Sequence, residues 1–266
     1  MEDSLIRSNV LGIGISPMNL RLATERIIAA SNQPGFSGYV TVTGVHGVME
    51  SQKDPVLRII HNRSFLTVPD GMPMVWMGHW NGFKEMSRVY GPDLMLEIMA
   101  QTDGSGFKHF LFGGGNGVTR QLADALIKKF PAIKIVGTVT PPFRPLDEKE
   151  ERELLASLQA TQPHYFWVGL STPKQERFMH HFLAKHTNLT KNWPHGLVML
   201  GVGAAFDFHA GLTPQAPSWM QKRGLEWFYR LVKEPRRLWR RYLYNNPRFI
   251  WKILLQITQL HKQGMA

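Results

Sequence analysis

The chain has 266 residues, of which 43% are hydrophobic, a formal net charge of +11 and no cysteine. This length fits one large domain or two small ones around a buried core, and the lack of cysteine excludes disulfide frameworks and thiolate metal sites. No run approaches the roughly eighteen apolar residues of a spanning helix, and the acidic N-terminus differs from a secretory signal. We therefore expect a globular protein of a reducing compartment that binds a membrane only peripherally.

Short apolar runs alternate along the chain with longer amphipathic stretches. The predicted strands are residues 10–13, 39–42, 107–112, 133–136, 165–168 and 197–202. The predicted helices are residues 18–30, 55–62, 93–101, 118–130, 148–159 and 173–185, each bounded by Gly, Pro or Asn. This βαβ pattern predicts an α/β fold: a Rossmann-like, mostly parallel sheet flanked by helices, with ligands beyond the carboxyl ends of the strands.

Two polar segments follow apolar runs in the first third of the chain. Residues 41–48 lead from a β-branched strand into glycines, and the Thr43 hydroxyl would meet a phosphate or a sugar there unless this is an ordinary strand end. Residues 68–73 contain Pro, Asp and Gly, which favour a turn in which Asp70 caps the next helix. The functional alternative is that the Asp70 carboxylate acts as a general base.

A glycine-rich segment lies between the strand at 107–112 and the following helix. Its backbone N–H groups and the helix N-terminus would cradle an anion, and its residues are Gly113, Gly114, Gly115 and Asn116. The segment has no P-loop lysine, and Val118 stands where a dinucleotide fingerprint needs its third glycine. We expect an anion site whose ligand the sequence leaves open.

Two later post-strand segments are further candidates for ligand contacts. Lys174 and Gln175 begin a helix and would either touch a nucleotide or remain solvated first-turn side chains. Residues 201–211 include Gly203 and Asp207, and their small side chains permit either a close ligand or tight helix–strand packing. The chain lacks the Asp-x-Asp, His-Glu-x-x-His and Gly-x-Ser-x-Gly motifs, so the common metal-dependent and hydrolase chemistries lose their usual support.

The charge of the chain is concentrated at its C-terminal end. Residues 222–266 carry eleven Lys and Arg against two Glu, whereas the preceding 221 residues are nearly neutral. Arginine alternates there with Trp, Tyr and Leu at roughly helical spacing, which favours a helix lying on an anionic membrane, with a polyanion such as nucleic acid as the rival partner. We expect a catalytic domain over 1–215 and a basic, amphipathic helical appendage over 216–266.

These segments, in this order, resemble the WecG/TagA/CpsF glycosyltransferases, glycosyltransferase family twenty-six, from about Val10 to Leu243. The pieces that carry the resemblance are Pro69-Asp70-Gly71, Arg88-Val89-Tyr90-Gly91-Pro92-Asp93, Thr172-Pro173-Lys174-Gln175-Glu176, residues 201–211, and the tail from Ala216-Pro217 through Gly224-Leu225-Glu226-Trp227 to Glu234-Pro235-Arg236-Arg237. Each piece is weak alone, and the ordered set is specific.

The resemblance implies an inverting, metal-independent transfer of a sugar from a UDP-sugar to a polyprenyl-diphosphate-linked acceptor at the cytoplasmic face of the cell membrane. It implies no cofactor and no nucleic-acid partner. By resemblance, Asp70 takes the proton of the acceptor hydroxyl and Arg88 stabilises the departing diphosphate. Thr43 and Gln175 line the pocket, and Asp207 lies in a segment assigned to the nucleotide.

The tail resembles the C-terminal appendage of the family, which docks on the membrane and closes over the active site. The arginines expected to contact diphosphate or membrane are Arg230, Arg236, Arg237, Arg240 and Arg241. Homo-oligomerisation stays open, because apolar tail residues would also serve a subunit interface.

One departure from the family pattern bears on the donor sugar. Many members carry Thr-Pro-Asn where this chain has Thr43-Gly44-Val45, followed by His46. The segment is more similar to the exopolysaccharide branch, so we expect an exopolysaccharide enzyme and favour glucose as its sugar. The alternative within the class is an N-acetylmannosamine or N-acetylmannosaminuronic acid transferase. The alternatives from other classes are a nucleic-acid-binding protein and a non-catalytic membrane adaptor.

Overall fold

The structure is a computed structural model that describes residues 6–258 and 264–265. In this part of the chain the strands are β1 (Ser8–Val10), β2 (Ile13–Ile15), β3 (Ser37–Thr43), β4 (Leu66–Pro69), β5 (Lys108–Gly113), β6 (Lys134–Val139), β7 (Tyr165–Gly169) and β8 (Leu197–Gly201). The helices are α1 (Leu20–Ser31), α2 (Val45–Ser51), α3 (Pro55–Arg63), α4 (Met72–Trp80), α5 (Gly91–Thr102), α6 (Val118–Lys129), α7 (Glu148–Thr161), α8 (Lys174–Lys185), α9 (Ala205–His209), α10 (Ser218–Lys222), α11 (Glu226–Lys233) and α12 (Pro235–Ile257).

Six strands form one sheet in the order β4-β3-β8-β7-β5-β6. The pairings of β5 with β6, β5 with β7 and β7 with β8 are parallel, as alternating strands and helices require. The predicted α/β fold with a parallel sheet flanked by helices is confirmed. The sequence analysis missed β4, because a four-residue strand that ends in proline gives almost no periodicity.

The first predicted strand, residues 10–13, is wrong. The chain forms a separate antiparallel hairpin there, with Val10 of β1 paired to Ile13 of β2. Leu11 and Gly12 turn the chain with φ values of 52° and 82°. Two successive positive φ values are typical of the tight turns of two-residue hairpins. The apolar run that predicted one strand therefore contains a turn between two short strands.

The described residues form two compact units. The second unit comprises Arg21–Val40 and Gly91–Pro214 and contains β5 to β8. Strand β7 runs through its core, since Tyr165, Phe166, Trp167 and Val168 are all fully buried. A continuous apolar run of this kind is what a strand covered on both faces requires.

The first unit comprises the described residues within Met1–Leu20, Thr41–Tyr90 and Gln215–Ala266. Its core joins the β1–β2 hairpin and helices α2, α4 and α12, through Val10, Leu11, Ile13, Ile15, Val48, Met49, Met74, Met77, Met86, Phe249 and Ile253. The end of α12 is therefore part of a folded core, although the predicted division at 215/216 stays a prediction. Residues 259–263 and 266 of the predicted appendage lie outside the described residues.

Helix α12 buries one stripe of its surface. The buried side chains are Leu238, Tyr242, Asn245, Phe249 and Ile253, three or four residues apart. This is the spacing of one helical face. The opposite side exposes apolar residues, among them Trp239, Leu243, Ile250, Trp251 and Leu254. No helix of the described part is long and apolar enough to cross a bilayer.

Candidate active site

Asp70 follows β4 directly, and its backbone is fixed on the neighbouring strand. Its N–H donates to the carbonyl oxygen of Thr43 at 2.9 Å. Gly71 then reverses the chain with a φ of 98° and is itself the N-cap of α4, without a side-chain hydrogen bond. The hypothesis that Asp70 caps this helix is therefore wrong, and its carboxylate is left for another role.

Burial and four charged side chains set the protonation of Asp70. Burial raises its pKa from 3.8 to about 6; Arg88 lowers the pKa, Glu226 raises it, and Arg230 and Arg241 lower it. The loss of water, together with the negative charge of Glu226, outweighs the three cations. A carboxylate that titrates near neutral pH is suited to take a proton in a reaction.

The Arg88 guanidinium is held by residues of the tail. One terminal nitrogen donates to Gln221 Oε1 at 3.0 Å, and the other makes a short ion pair with Glu226 Oε2. Its central carbon lies 3.9 Å from the centre of the Tyr90 ring. Both side chains of the ion pair are largely buried, with 13% of Arg88 and 17% of Glu226 exposed. Sequence analysis chose Arg88 and missed these partners, although Glu226 stands in the Gly-Leu-Glu-Trp segment of the tail.

Two of the five tail arginines belong to the surroundings of Asp70. Arg230 of α11 and Arg241 of α12 are half-buried, and both lower the pKa of the Asp70 carboxyl. The Nε atom of Arg241 is buried without a hydrogen-bond partner among the described residues. The positive charges of these guanidinium groups favour the ionised form of the Asp70 carboxyl.

The other three tail arginines are exposed. Arg237 forms an ion pair with Glu234 at 2.6 Å, and Arg240 lies 5.3 Å from the centre of the Trp239 ring. Arg236 is exposed as well. The structure therefore divides the five tail arginines, which the sequence analysis had treated as one group. Three of them lie on the outer side of α12.

Thr43 lies beside the site without presenting its hydroxyl to solvent. The side chain is 1% exposed, and its Oγ1 is 3.2 Å from His61 Nδ1, which is also 3.1 Å from Thr41 Oγ1. Burial, followed by the charge of Arg7, lowers the pKa of His61 to about 4, so this imidazole is neutral at pH 7. Thr43 supports Asp70 through its backbone carbonyl and anchors the strand end through its side chain.

A groove opens beside this cluster within the first unit. Its volume is about 710 Å³, and helices α2 and α12 supply most of its lining. Arg241 lines the groove and also acts on the Asp70 carboxyl. His46 lines it from α2, with Nδ1 3.4 Å from Asn245 Nδ2. Exposed Arg237 and Arg240 and the rings of Trp239 and Tyr244 also line this groove.

In the second unit, the glycine-rich segment has the geometry of a backbone cradle. Gly113 adopts a φ of 144°, and a Cβ on it would lie 2.6 Å from the backbone of Gly169. The N–H of Gly114 donates to the carbonyl of Gly169 at 3.0 Å, which fixes the loop on β7. Helix α6 begins after Gly117, at a φ of 78°, and Asn116 is exposed. Half-buried Gly115 completes the turn, and an anion-binding role stays a prediction.

Gln175 and Lys174 take opposite positions at the start of α8. Gln175 is 3% exposed and donates through Nε2 to the carbonyl of Gly201 at 3.1 Å, whereas Lys174 is exposed. Of the two alternatives for Gln175, the solvated first-turn side chain is therefore wrong. The Oε1 atom of Gln175 is buried without a hydrogen-bond partner among the described residues, and half-buried Gly203 and Asp207 lie in the segment after β8.

Comparison with known proteins identifies the group to which the chain is similar. A family model described as "Glycosyl transferase WecG/TagA/CpsF family" matches residues 8–263. A Bacillus spizizenii protein is 29% identical over 205 residues, which cover 77% of this chain and 74% of the relative. A Bacillus subtilis protein is 30% identical over 186 residues, which cover 70% and 66%. Both relatives are named N-acetylglucosaminyldiphosphoundecaprenol N-acetyl-beta-D-mannosaminyltransferase.

Proposed function

The chain belongs to the WecG/TagA/CpsF family of glycosyltransferases, and from this premise we propose that it transfers N-acetylmannosamine from a UDP-linked donor to an N-acetylglucosaminyl-diphosphate-polyprenol acceptor. The names of the two Bacillus relatives support this choice of sugar and acceptor. They favour the N-acetylmannosamine alternative over the exopolysaccharide and glucose expectation, which neither relative supports. The donor nucleotide and the metal-independent, inverting course rest on the family resemblance.

The observation that carries the proposal is the half-buried Asp70 side chain directly after β4, whose pKa is raised by desolvation to about 6 and lowered by the charges of Arg88, Arg230 and Arg241. In the proposed step Asp70 accepts the proton of an acceptor hydroxyl. The hydroxyl oxygen forms the new bond to the anomeric carbon while the bond from that carbon to the diphosphate oxygen breaks. UDP leaves with its electron pair, and attack from the opposite face inverts the configuration.

Negative charge develops on the diphosphate as it departs, and arginine suits that task. Guanidinium groups match phosphate geometry, and their effect is larger where water is excluded. Arg230 and Arg241 are the half-buried candidates for this role. Arg88 contributes charge from the position in which Gln221 and Glu226 hold it.

We assign the nucleotide to the segments that follow β5, β7 and β8. The backbone at Gly113–Gly115, with the N-terminus of α6 behind it, is suited to an anion. The buried Gln175 carbonyl oxygen is suited to accept a hydrogen bond from a base or a ribose hydroxyl. Asp207 and Lys174 are further candidates, through their places after β8 and β7.

The experiment incubates the full chain with an N-acetylglucosaminyl-diphosphate-prenol acceptor and separate UDP-sugars, with and without a chelator, and measures UDP release. We expect release with UDP-N-acetylmannosamine, undiminished by the chelator and reduced about a hundredfold or more in Asp70→Asn. Asp124→Asn, an exposed carboxylate of α6, is the matched control. Turnover of UDP-glucose alone would support the exopolysaccharide alternative, and no turnover of any donor would refute the transferase assignment.

We further propose that the exposed side of α12 attaches the protein to the cytoplasmic face of an anionic membrane. Trp251 is 64% and Leu254 is 50% exposed, and exposed Arg240 and Arg248 lie on the same helix. Apolar side chains bordered by cations suit a lipid surface. We expect sedimentation with anionic vesicles, weakened by salt and by Trp251→Ala but not by Phe143→Ala, an exposed control outside the tail.

Two alternative partners of the exposed side of α12, a nucleic acid and a second copy of the chain, predict different results with the same purified protein. A nucleic-acid partner predicts salt-sensitive retention on an oligonucleotide with no preference for vesicles. A second copy of the chain predicts a dimer mass in light scattering that Trp251→Ala returns to the monomer.

A further inference from the structure

The Gln175 side chain at the start of α8 is held by two hydrogen-bond acceptors. Its Nε2 atom donates to the carbonyl oxygen of Gly201 at 3.1 Å and to Glu176 Oε1 at 3.1 Å. A primary amide has two N–H donors, so these two bonds use both of them. Neither a backbone carbonyl nor an ionised carboxylate can donate in return. The NH2 end of the amide therefore has to face Gly201 and Glu176, and Oε1 has to face elsewhere.

Glu176 is itself fixed in place. Its side chain is fully buried, and its Oε1 atom accepts a hydrogen bond from Thr172 Oγ1 at 2.8 Å as well as the bond from Gln175. A carboxylate in the first turn of a helix is favoured by the helix dipole even at the surface, whereas its burial is costly unless it is hydrogen-bonded. The buried position of Glu176 is therefore explained by what it holds, which is the Gln175 amide.

The Oε1 atom of Gln175 lies against bare backbone of the segment that ends and follows β8. A Cβ on Gly201 would lie 3.1 Å from Gln175 Nε2, and a Cβ on Gly203 would lie 3.4 Å from Oε1. Oε1 is buried without a hydrogen-bond partner among the described residues. A buried carbonyl oxygen in this condition is unfavourable, and an N–H or O–H group of a ligand would satisfy it. Ligands of parallel sheets bind at this edge, beyond the carboxyl ends of the strands.

We propose that Glu176 is a positioning residue for nucleotide binding: it holds the Gln175 amide so that Oε1 accepts a hydrogen bond from the uracil N3–H or the ribose 2′-hydroxyl of the donor. The inference rests on the proposed function for the identity of the ligand. Glu176 does not touch the nucleotide in this role, and it acts through Gln175. Without the carboxylate the amide keeps only its bond to Gly201, so it rotates more freely and presents Oε1 for less of the time.

The first experiment is a double-mutant cycle on UDP affinity, measured by calorimetry on the full chain. We expect the affinity to fall about tenfold in Gln175→Leu and about fivefold in Glu176→Met. The double variant should bind UDP no more weakly than Gln175→Leu alone, because Glu176 has no effect once Gln175 is absent. Glu153→Met, an exposed position of α7, is the matched control and should leave the affinity unchanged. A double variant that loses the product of the two single losses would overturn the inference.

Two analogues of UDP distinguish the two ligand groups. CDP has an acceptor in place of the N3–H donor, and 2′-deoxy-UDP lacks the 2′-hydroxyl. If the N3–H is the partner of Oε1, Gln175→Leu should not weaken the binding of CDP. If the 2′-hydroxyl is the partner, the same substitution should not weaken the binding of 2′-deoxy-UDP. An equal loss of affinity for UDP, CDP and 2′-deoxy-UDP would refute the contact with the nucleoside.

An NMR measurement without nucleotide tests the position of the amide by itself. The Nε2 protons of Gln175 are assigned by their absence from Gln175→Leu. We expect them to exchange with water about tenfold or more slowly than those of exposed Gln121 on α6, and to exchange faster in Glu176→Met. If this holds and UDP does not bind, only the proposed function fails. Fast exchange in the unmodified protein would overturn the positioning role, whether or not Glu176→Met folds.

Discussion

Replacement of Asp70 with asparagine should stabilise the protein while it removes the transfer activity. The native state holds this carboxyl at a pKa of about 6, against a reference value of 3.8. The folded protein therefore binds the proton more tightly than the unfolded chain, so stability decreases as the pH rises from 3.8 to about 6. Above that interval the ionised carboxylate lowers the free energy of unfolding. Asparagine has the same shape without the charge, so it does not lower it.

The magnitude follows from the two pKa values. At 1.36 kcal/mol for each pKa unit, the difference between 3.8 and about 6 corresponds to about 3 kcal/mol at pH 7. For a chain of this size, that corresponds to a rise of about 6 °C or more in the thermal midpoint. The gain should shrink to about 1 kcal/mol near pH 4.5 and disappear below 3.8, where both states carry a protonated carboxyl.

The assay is thermal and urea unfolding of the unmodified protein and Asp70→Asn between pH 3.5 and 7.5, with Asp124→Asn as the exposed control. Transfer is measured on the same preparations. A stability gain that is absent at pH 7, or that is equally large at pH 3.5, would refute the argument that burial of the charged carboxylate raises the pKa of Asp70. Higher stability together with lost activity in Asp70→Asn would show that the unmodified protein is less stable because it keeps an ionisable side chain at this position.

Three other substitutions test separate parts of the structure. Arg241→Gln should lower kcat about a hundredfold because it removes a half-buried charge beside the base, whereas Arg26→Gln on the exposed side of α1 should not; initial rates decide. Phe249→Ala should lower the free energy of unfolding by about 3 kcal/mol or more, whereas Ile250→Ala, 59% exposed, should change it by less than about 0.5 kcal/mol in urea titrations. Gly113→Ala should destabilise the protein by several kcal/mol, because the Cβ would lie 2.6 Å from the backbone of β7, and wild-type stability would contradict that close approach.

The sequence determined the class of fold because the pattern that encodes it is local. Buried parallel strands read as continuous apolar runs, and five of the six predicted strands lie in the sheet. The two failures were also local in origin. The apolar run at residues 10–13 contains a turn at Leu11 and Gly12, and β4 is too short to show the hydrophobic periodicity of a strand.

The sequence also selected Asp70, Arg88 and the tail arginines, through motifs that resemble a family. It left two alternatives for Asp70, a helix cap or a base, because the residue types Pro-Asp-Gly suit both. The structure excludes the cap, since Gly71 is the N-cap of α4. It also buries Gln175, for which the sequence had left open a nucleotide contact or a solvated first-turn position.

Only the tertiary structure decided how these residues act together. The raised pKa of Asp70 comes from loss of water and from charges at positions 88, 226, 230 and 241, which no spacing along the chain brings into proximity. Arg230 and Arg241 are half-buried and act on the Asp70 carboxyl, whereas Arg236, Arg237 and Arg240 are exposed, and this division depends on which face of the tail helices packs inward. Hydrophobic periodicity is written in neighbouring residues, whereas desolvation and charge coupling depend on distance in space, so the sequence determined the fold and its candidate residues and the folded chain determined their chemistry.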